Sequence, residues 1–562
     1  MTRAGTSPGT TPATVPGEGG HGRVSEQVDV VVVGAGIAGL YAIHRLRGQG
    51  LSVRCLEAAD GVGGTWYWNR YPGARCDVES VDYSYSFDRQ LEREWDWSER
   101  YAAQPEILRY LEHVADRYDL RRSIRFGVRV SSAVLDERAG RWRVGLDAGE
   151  VIEARFVVFA TGSLSAARTP DIPGRDTFTG RTFHTARWPH EDVDFTGRRV
   201  GVVGTGSSGI QVIPILAERA EHLTVFQRSP NFSIPSPNRP HTDETRAAYR
   251  ASYAERRRLS WESGGGSPHR PHPQNTFEVP EHERRAVYER QWQLGGVLFS
   301  KAFPDQMRSE EANAPAREFF AEKVRALIQD PALAAKLIPD DHPIGTKRIC
   351  TDSGYYPTFN RENVTLVDLR ATPIDEITPT GIRTGDVEHR LDDIVFATGF
   401  DALTGALAAI DIRGRAGRTL AAEWAAGPRT YLGLSAAGFP NLFVINGPGS
   451  ASVLTNMVLA SEHQLDWVGE TIAHLDERGL WGIEATADAQ GQWVRRCAEL
   501  AEATLFPRAN SWYLGANVPG KPRVFMPFIG GFSTYQEIVA DVVEHGYRGY
   551  ALLPDPAADP TA

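Results

Sequence analysis

A chain of 562 residues, 41% hydrophobic and 23% charged, can bury several cores, which excludes a single small module, a fibrous repeat and a wholly disordered chain. Sixty-one Lys and Arg against 71 Asp and Glu leave a net charge of −10, so no nucleic acid and no membrane is expected as partner. Four scattered cysteines (Cys55, Cys76, Cys350 and Cys497), none at CxxC spacing, exclude a disulfide framework and a redox-active pair and fit a cytoplasmic setting.

Residues 1–27, rich in Thr, Gly and Pro and without the apolar core of a signal peptide, read as a disordered tail. Over 27–57 the sequence QVDVVVVGAGIAGLYAIHRLRGQGLSVRCLE reads as strand, glycine turn, helix and strand, a βαβ unit. Val30, Val31, Val32 and Val33 form too short an apolar run to span a bilayer and fit a strand buried on both faces. Gly34, Gly36 and Gly39 give GxGxxG directly after that strand. The first makes the tight turn, the second admits a pyrophosphate, and the third lets helix and strand approach. Glu57, 23 residues after Gly34, offers a carboxylate to ribose hydroxyls.

A second such unit covers 198–228, with Gly204, Gly206 and Gly209 and with Pro214 expected to kink its helix. The position equivalent to Glu57 is Gln227, followed by Arg228. Loss of the acid and gain of a cation suit the 2′-phosphate of NADPH better than the bare ribose of NADH. Two dinucleotide sites in one chain point to a flavin reduced by NADPH. The sequence FATG occurs at 159–162 and again at 396–399, each closing an apolar strand where the chain would cross between domains.

Between the two halves of the second domain, 237–344 is charged and rich in Pro and Gly. Phe320, Val324, Leu327 and Ile328 share one helical face there, so the segment reads as a helical insertion. His269 and His272 stand among three prolines in an extended stretch, and no metal site is expected from them.

Phe178, Gly180, His184 and Trp188, followed by Pro189, make FxGxxxHxxxWP just before the second glycine motif. This fingerprint resembles that of the type I Baeyer–Villiger monooxygenases. A second stretch, GTWYWNRYPGARCD at 64–77, matches the same family, and the likeness runs from about 28 to about 552. Within the family the chain is most similar to the phenylacetone and steroid monooxygenases, and 261–273 and 296–306 are nearest the steroid enzyme.

The resemblance implies an α/β fold of two Rossmann-like, three-layer ββα dinucleotide-binding domains, both discontinuous, with the helical insertion between them. Their expected extents are 28–163 and 391–562 for FAD, and 164–236 and 345–390 for NADPH. It also implies an oxidoreductase in which FAD, reduced by NADPH, forms a flavin peroxide with O2 that attacks a ketone to give an ester or lactone. A flavin N- or S-oxygenase, using the same peroxide as an electrophile, is the alternative. A monomer or weak homo-oligomer acting on a small-molecule ketone is expected.

Carried over residue by residue, Arg348 matches the family's catalytic arginine and Asp77 the carboxylate that orients it. A permanently charged planar donor suits the stabilisation of an oxyanion. Ala38, Thr65, Trp66, Tyr67, Trp68, Tyr83, Val130 and Met457 join Gly34, Gly36, Gly39, Glu57 and Asp77 around FAD. Arg75, Thr205, Ser207, Ser208, Ser229, Lys347 and Trp512 join the second glycine set, Arg228 and Arg348 around NADPH, with Trp512 on a loop able to close over the cofactor. The fingerprint residues are expected to be structural. Ser452, Val453 and Leu454 match the loop lining the ketone pocket, whose apolar character suits a bulky steroid, aryl or alicyclic ketone. Ala451 in place of a common Pro, and Ser163 where the phenylacetone enzyme has Gln, are departures that bear on substrate choice.

Overall fold

The structure, a computed structural model, describes residues 24–555. Positions 1–23 of the expected tail lie outside the described residues. Its last four positions, 24–27, instead open the first strand, Val24–Val33, because that strand's ladder with Val151–Phe159 extends back to a Val24–Val151 pair.

Val24–Val33 is the centre of an eight-stranded sheet and pairs in parallel with Val53–Leu56 on one side and Val151–Phe159 on the other. Val30, Val31 and Val32 have no exposed surface, as a central strand covered on both faces requires. The sheet extends through Ile124–Arg125 at one edge. At the other, Arg141–Leu146 and Val130–Asp136 run antiparallel, followed by Asp411–Arg413, and Leu442–Val444 adds to Val151–Phe159.

The second sheet has five strands, all parallel, in the order Val364–Asp368, His222–Gln227, Arg199–Val203, Asp393–Phe396, Arg181–His184. Asp393–Phe396 therefore belongs to this sheet, and the expected boundary at 391 is corrected to a crossing after the FATG sequence. The reason is local: Asp393 is fully buried and accepts Arg181 Nε at 2.7 Å and Arg198 Nη2 at 3.0 Å, which fixes the strand between its two neighbours.

Both glycine turns are tight. Gly34 and Gly204 have φ of +103° and +109°. A Cβ on Gly39 would stand 1.8 Å from Gly34 O, and one on Gly209 would stand 2.2 Å from Gly204 O. These glycines let the helices Ile37–Gly48 and Ser207–Arg219 point their first turns at the ends of their strands. Pro214 does not end its helix, which runs as one element from Ser207 to Arg219.

The insertion is helical as expected, with Asp243–Trp261, Glu281–Leu294, Glu310–Leu327 and Pro331–Leu337. Phe320, Val324 and Ile328 are buried, but Leu327, the last helical residue, is 38% exposed. Its first helix is tied to the first domain by buried Arg257, which donates to Glu92 Oε1 at 2.6 Å and Ser84 Oγ at 2.8 Å, while Arg256 pairs with Glu79 and Asp82. His269 and His272 face different carboxylates, Glu79 at 3.4 Å and Glu283 at 3.7 Å.

A Gly209→Ala exchange should overpack the second turn by about 1–3 kcal/mol. The expected result is a lower thermal unfolding midpoint and weaker NADP+ binding in a protein that keeps its flavin. An unchanged midpoint would contradict the close approach described for this turn.

Candidate active site

One cavity of about 1690 Å³ is lined by the C-terminal ends of parallel strands from both sheets. Both glycine turns line it, through Gly34, Gly36 and Ala38 on one side and Gly204, Thr205, Gly206, Ser207 and Ser208 on the other. The helices starting there have no side-chain cap and no acid in the first turn, so their leading N–H groups are left for an anion. A Cβ on Gly206 would meet nothing within 4 Å, which leaves that turn open to a pyrophosphate.

On the flavin side, Glu57 is buried and accepts the Ala35 amide at 2.6 Å and the Ala59 amide at 2.8 Å. Burial raises its pKa, and the backbone donors act against that shift. Thr65, Trp66, Trp68, Tyr83, Val130 and Met457 also line the cavity. Trp66 Nε1 donates to the Tyr83 hydroxyl at 3.2 Å, which fixes the two aromatic walls relative to each other. Met457 begins the helix Met457–Glu477, capped by the Asn456 side chain. This lining fits a flavin dinucleotide: acceptors at the strand end, unpaired donors at a helix start and aromatic walls.

Arg348 and Asp77 meet on the wall between the two halves. Arg348 Nε donates to Asp77 Oδ2 at 2.7 Å and Nη2 to Asp77 Oδ1 at 2.9 Å, a two-point pair, while Nη1 donates to Val453 O at 2.9 Å. Burial opposes the Arg348 charge. Asp77 and the Tyr513 hydroxyl more than offset it, so the guanidinium is held above its ordinary pKa. The site thus keeps a cation whose position is set by three separate stretches of chain.

On the second side the cavity collects positive charge. Arg75, Arg168, Arg228, Lys347 and Arg370 line it, with Ser229 beside them. Burial and the nearby Arg228 lower the pKa of Lys347, and Asp341, 3.7 Å from Lys347 Nζ, works the other way. Gln227 turns away and donates to Lys336 O at 2.7 Å, so no acid stands where a ribose-binding carboxylate would. The lining suits a phosphorylated dinucleotide. Trp512 closes one edge, together with Asn510, Ser511, Ala516 and Asn517.

Several expected residues lie outside the lining. Gly39 and Gly209 act by packing, as described, and Tyr67 bonds to Asp60 and stacks edge-on to His190. Only Val453 of the three residues expected at the ketone pocket reaches the cavity. Ser452 is fully buried with its hydroxyl on Ser450 O, and Leu454 packs against the apolar cluster of Leu403, Phe506 and Met526.

The fingerprint residues also sit away from the cavity, in and around the edge strand Arg181–His184 of the second sheet. Trp188 packs against Phe183 and Phe195, Phe178 joins the core around Val203 and Phe226, and a Cβ on Gly180 would lie 2.3 Å from Asp392 O. His184 Nδ1 accepts the Ala186 amide, which puts the ring proton on Nε2, 3.1 Å from Arg168 O. Arg168, Arg370 and Tyr513 carry no sequence signal of their own, since each reaches the site through tertiary placement.

Arg228→Ala should raise the KM for NADPH roughly tenfold and leave that for NADH nearly unchanged, the loss of one charge-assisted phosphate contact. Steady-state kinetics with both nucleotides checks this, and an unchanged preference would remove Arg228 from the phosphate site.

The pyridine nucleotide-disulphide oxidoreductase family model matches residues 28–255. A Baeyer–Villiger monooxygenase from Pseudooceanicola batsensis is 44% identical over 547 residues, covering 95% of this chain and 98% of the relative. A solved structure described as oxidized steroid monooxygenase bound to NADP is 65% identical with a TM-score of 0.91, covering 94% of this chain and all of that one. A phenazine N-monooxygenase, PhzNO1 of Lysobacter antibioticus, is 41% identical over 543 residues, covering 94% of this chain and 98% of the relative. With this likeness running along nearly its whole length and both glycine turns facing one cavity, the chain belongs to the FAD- and NADPH-dependent Baeyer–Villiger monooxygenases.

Proposed function

We propose that this enzyme uses NADPH and O2 to insert one oxygen atom beside the carbonyl of a bulky, apolar ketone, steroid, aryl or alicyclic, releasing an ester or lactone. The observation that carries this reading is the Arg348–Asp77 pair fixed at the cavity wall by Val453 O. Bound FAD supplies the redox chemistry, accepting a hydride from NADPH and delivering electrons to O2.

The chain's own residues then have defined tasks. Three of the five N–H groups of Arg348 are used on Asp77 and Val453, the Tyr513 hydroxyl lies beside them, and the charge of the guanidinium stabilises an oxygen that gains negative charge as the carbonyl is attacked. Asp77 holds the guanidinium plane in place and keeps its charge from being stranded. Glu57 and the first glycine turn hold the flavin's adenosine end, while Arg228, Ser229 and Lys347 hold the phosphate of NADPH. Val453 brings an apolar side chain to the cavity wall and is backed by the buried cluster of Leu403, Phe506, Tyr513 and Phe525, so this part of the wall suits an apolar substrate. A cytoplasmic setting suits the four buried free cysteines and the need for NADPH.

N-oxygenation is the second reading, favoured by the likeness to a phenazine N-monooxygenase. Incubating the yellow protein with NADPH, 18O2 and progesterone, phenylacetone, cyclohexanone or phenazine separates the two. Labelled ester from the carbonyl compounds, greatest for the bulky ones, is expected. Labelled N-oxide with no ester would overturn the ketone reading.

Arg348→Ala should leave flavin reduction by NADPH within a few fold and cut ester formation by about 10²-fold or more, with NADPH consumption diverted to hydrogen peroxide. Rapid-mixing reduction rates and product analysis check the two halves separately. Ester yield at the wild-type level would remove the role assigned to Arg348.

A further inference from the structure

Arg168 lies on the segment that crosses from the first sheet to the second. Its backbone is clamped there: the amide donates to Gly399 O at 2.9 Å, and the carbonyl accepts Thr398 Oγ1 at 2.5 Å and His184 Nε2 at 3.1 Å. From this fixed base the side chain lines the cavity, and its Nη1 donates to Asn517 O. Asn517 ends the stretch 510–517 that carries Trp512, and its own Nδ2 donates to Phe400 O at 2.7 Å.

The guanidinium also sits within electrostatic reach of Arg228. Burial and that second cation both lower the Arg168 pKa. Asp401, the carboxylate acting on Arg168, is ion-paired with Lys521. Both guanidiniums line the same cavity while the acid near Arg168 is engaged by Lys521, an arrangement suited to an anion with several acceptor oxygens.

We propose that Arg168 is a second reader of the NADPH 2′-phosphate and also fastens the 510–517 loop through Asn517 O, so that one side chain couples the identity of the cofactor to closure of the cavity. A phosphate between Arg168 and Arg228 turns their repulsion into shared attraction and fixes Arg168 where it holds the loop. NADH presents a hydroxyl there and leaves the repulsion in place. His184 then acts at one remove, as a positioning residue that sets the backbone from which Arg168 reaches.

The test uses the FAD-loaded enzyme, with NADP+ and NAD+ titrated against Arg168→Ala and Arg168→Lys, and amide hydrogen exchange followed over 510–521 at saturating nucleotide. Retained flavin absorbance confirms folding of each variant. Arg168→Ala should bind NADP+ about tenfold more weakly with NAD+ affinity unchanged. NADP+ should no longer slow exchange in the loop. Arg168→Lys, which keeps the charge, should recover most of the discrimination. An unchanged NADP+/NAD+ ratio, wild-type loop protection in Arg168→Ala, or a lysine variant as impaired as the alanine one would each overturn the proposal.

Discussion

The contact on which this site depends is the two-point bond between Arg348 and Asp77. A guanidinium at a cavity wall is useful to an oxygen-inserting reaction only if it stays charged and stays in place. The charge is secured by Asp77 against the cost of burial, and the place is secured by Val453 O on the guanidinium's other edge. Asp77, Arg348 and Val453 come from three distant stretches of chain, so the surrounding fold serves to bring these stretches to one point.

Around that point the molecule repeats one device twice and changes its chemistry. Each βαβ unit turns on a glycine with positive φ and presents an uncapped helix start to the cavity. The first ends in Glu57, suited to ribose hydroxyls. The second ends in Gln227, whose side chain bonds to Lys336 O, and in Arg228, which faces the cavity with Lys347. The substitution of one acid by a cation at an otherwise equivalent strand end separates the electron donor's seat from the flavin's. The insertion helix, fastened by Arg256 and Arg257 to 79–92, buttresses the chain just beyond Asp77.

What could be read from the sequence follows from which interactions are local. The glycine turns, their helices and Glu57 were legible because a βαβ unit encodes its turn, helix and strand within some thirty residues. The two-sheet layout was legible for the same reason. Asp393–Phe396 was assigned to the wrong side of a boundary because a buried strand looks alike in either sheet, and only the bonds from Arg181 and Arg198 decide. Ser452 and Leu454 share an apolar stretch with Val453, but the φ of +28° at Ser452 turns the chain so that Val453 alone faces the cavity. Arg168 and Tyr513 were illegible because their roles rest on partners more than a hundred positions away, Asn517 and Arg348.

If Arg348 and Asp77 act as one unit, a double-mutant cycle on oxygen transfer measures it most directly. Asp77→Asn, Arg348→Lys and the combined variant would be compared by ester formed per NADPH consumed, with flavin content held equal. The account predicts that the combined variant is no worse than the poorer single one, since either change already breaks the unit. Losses that multiply in the combined variant would show two independent residues and contradict it.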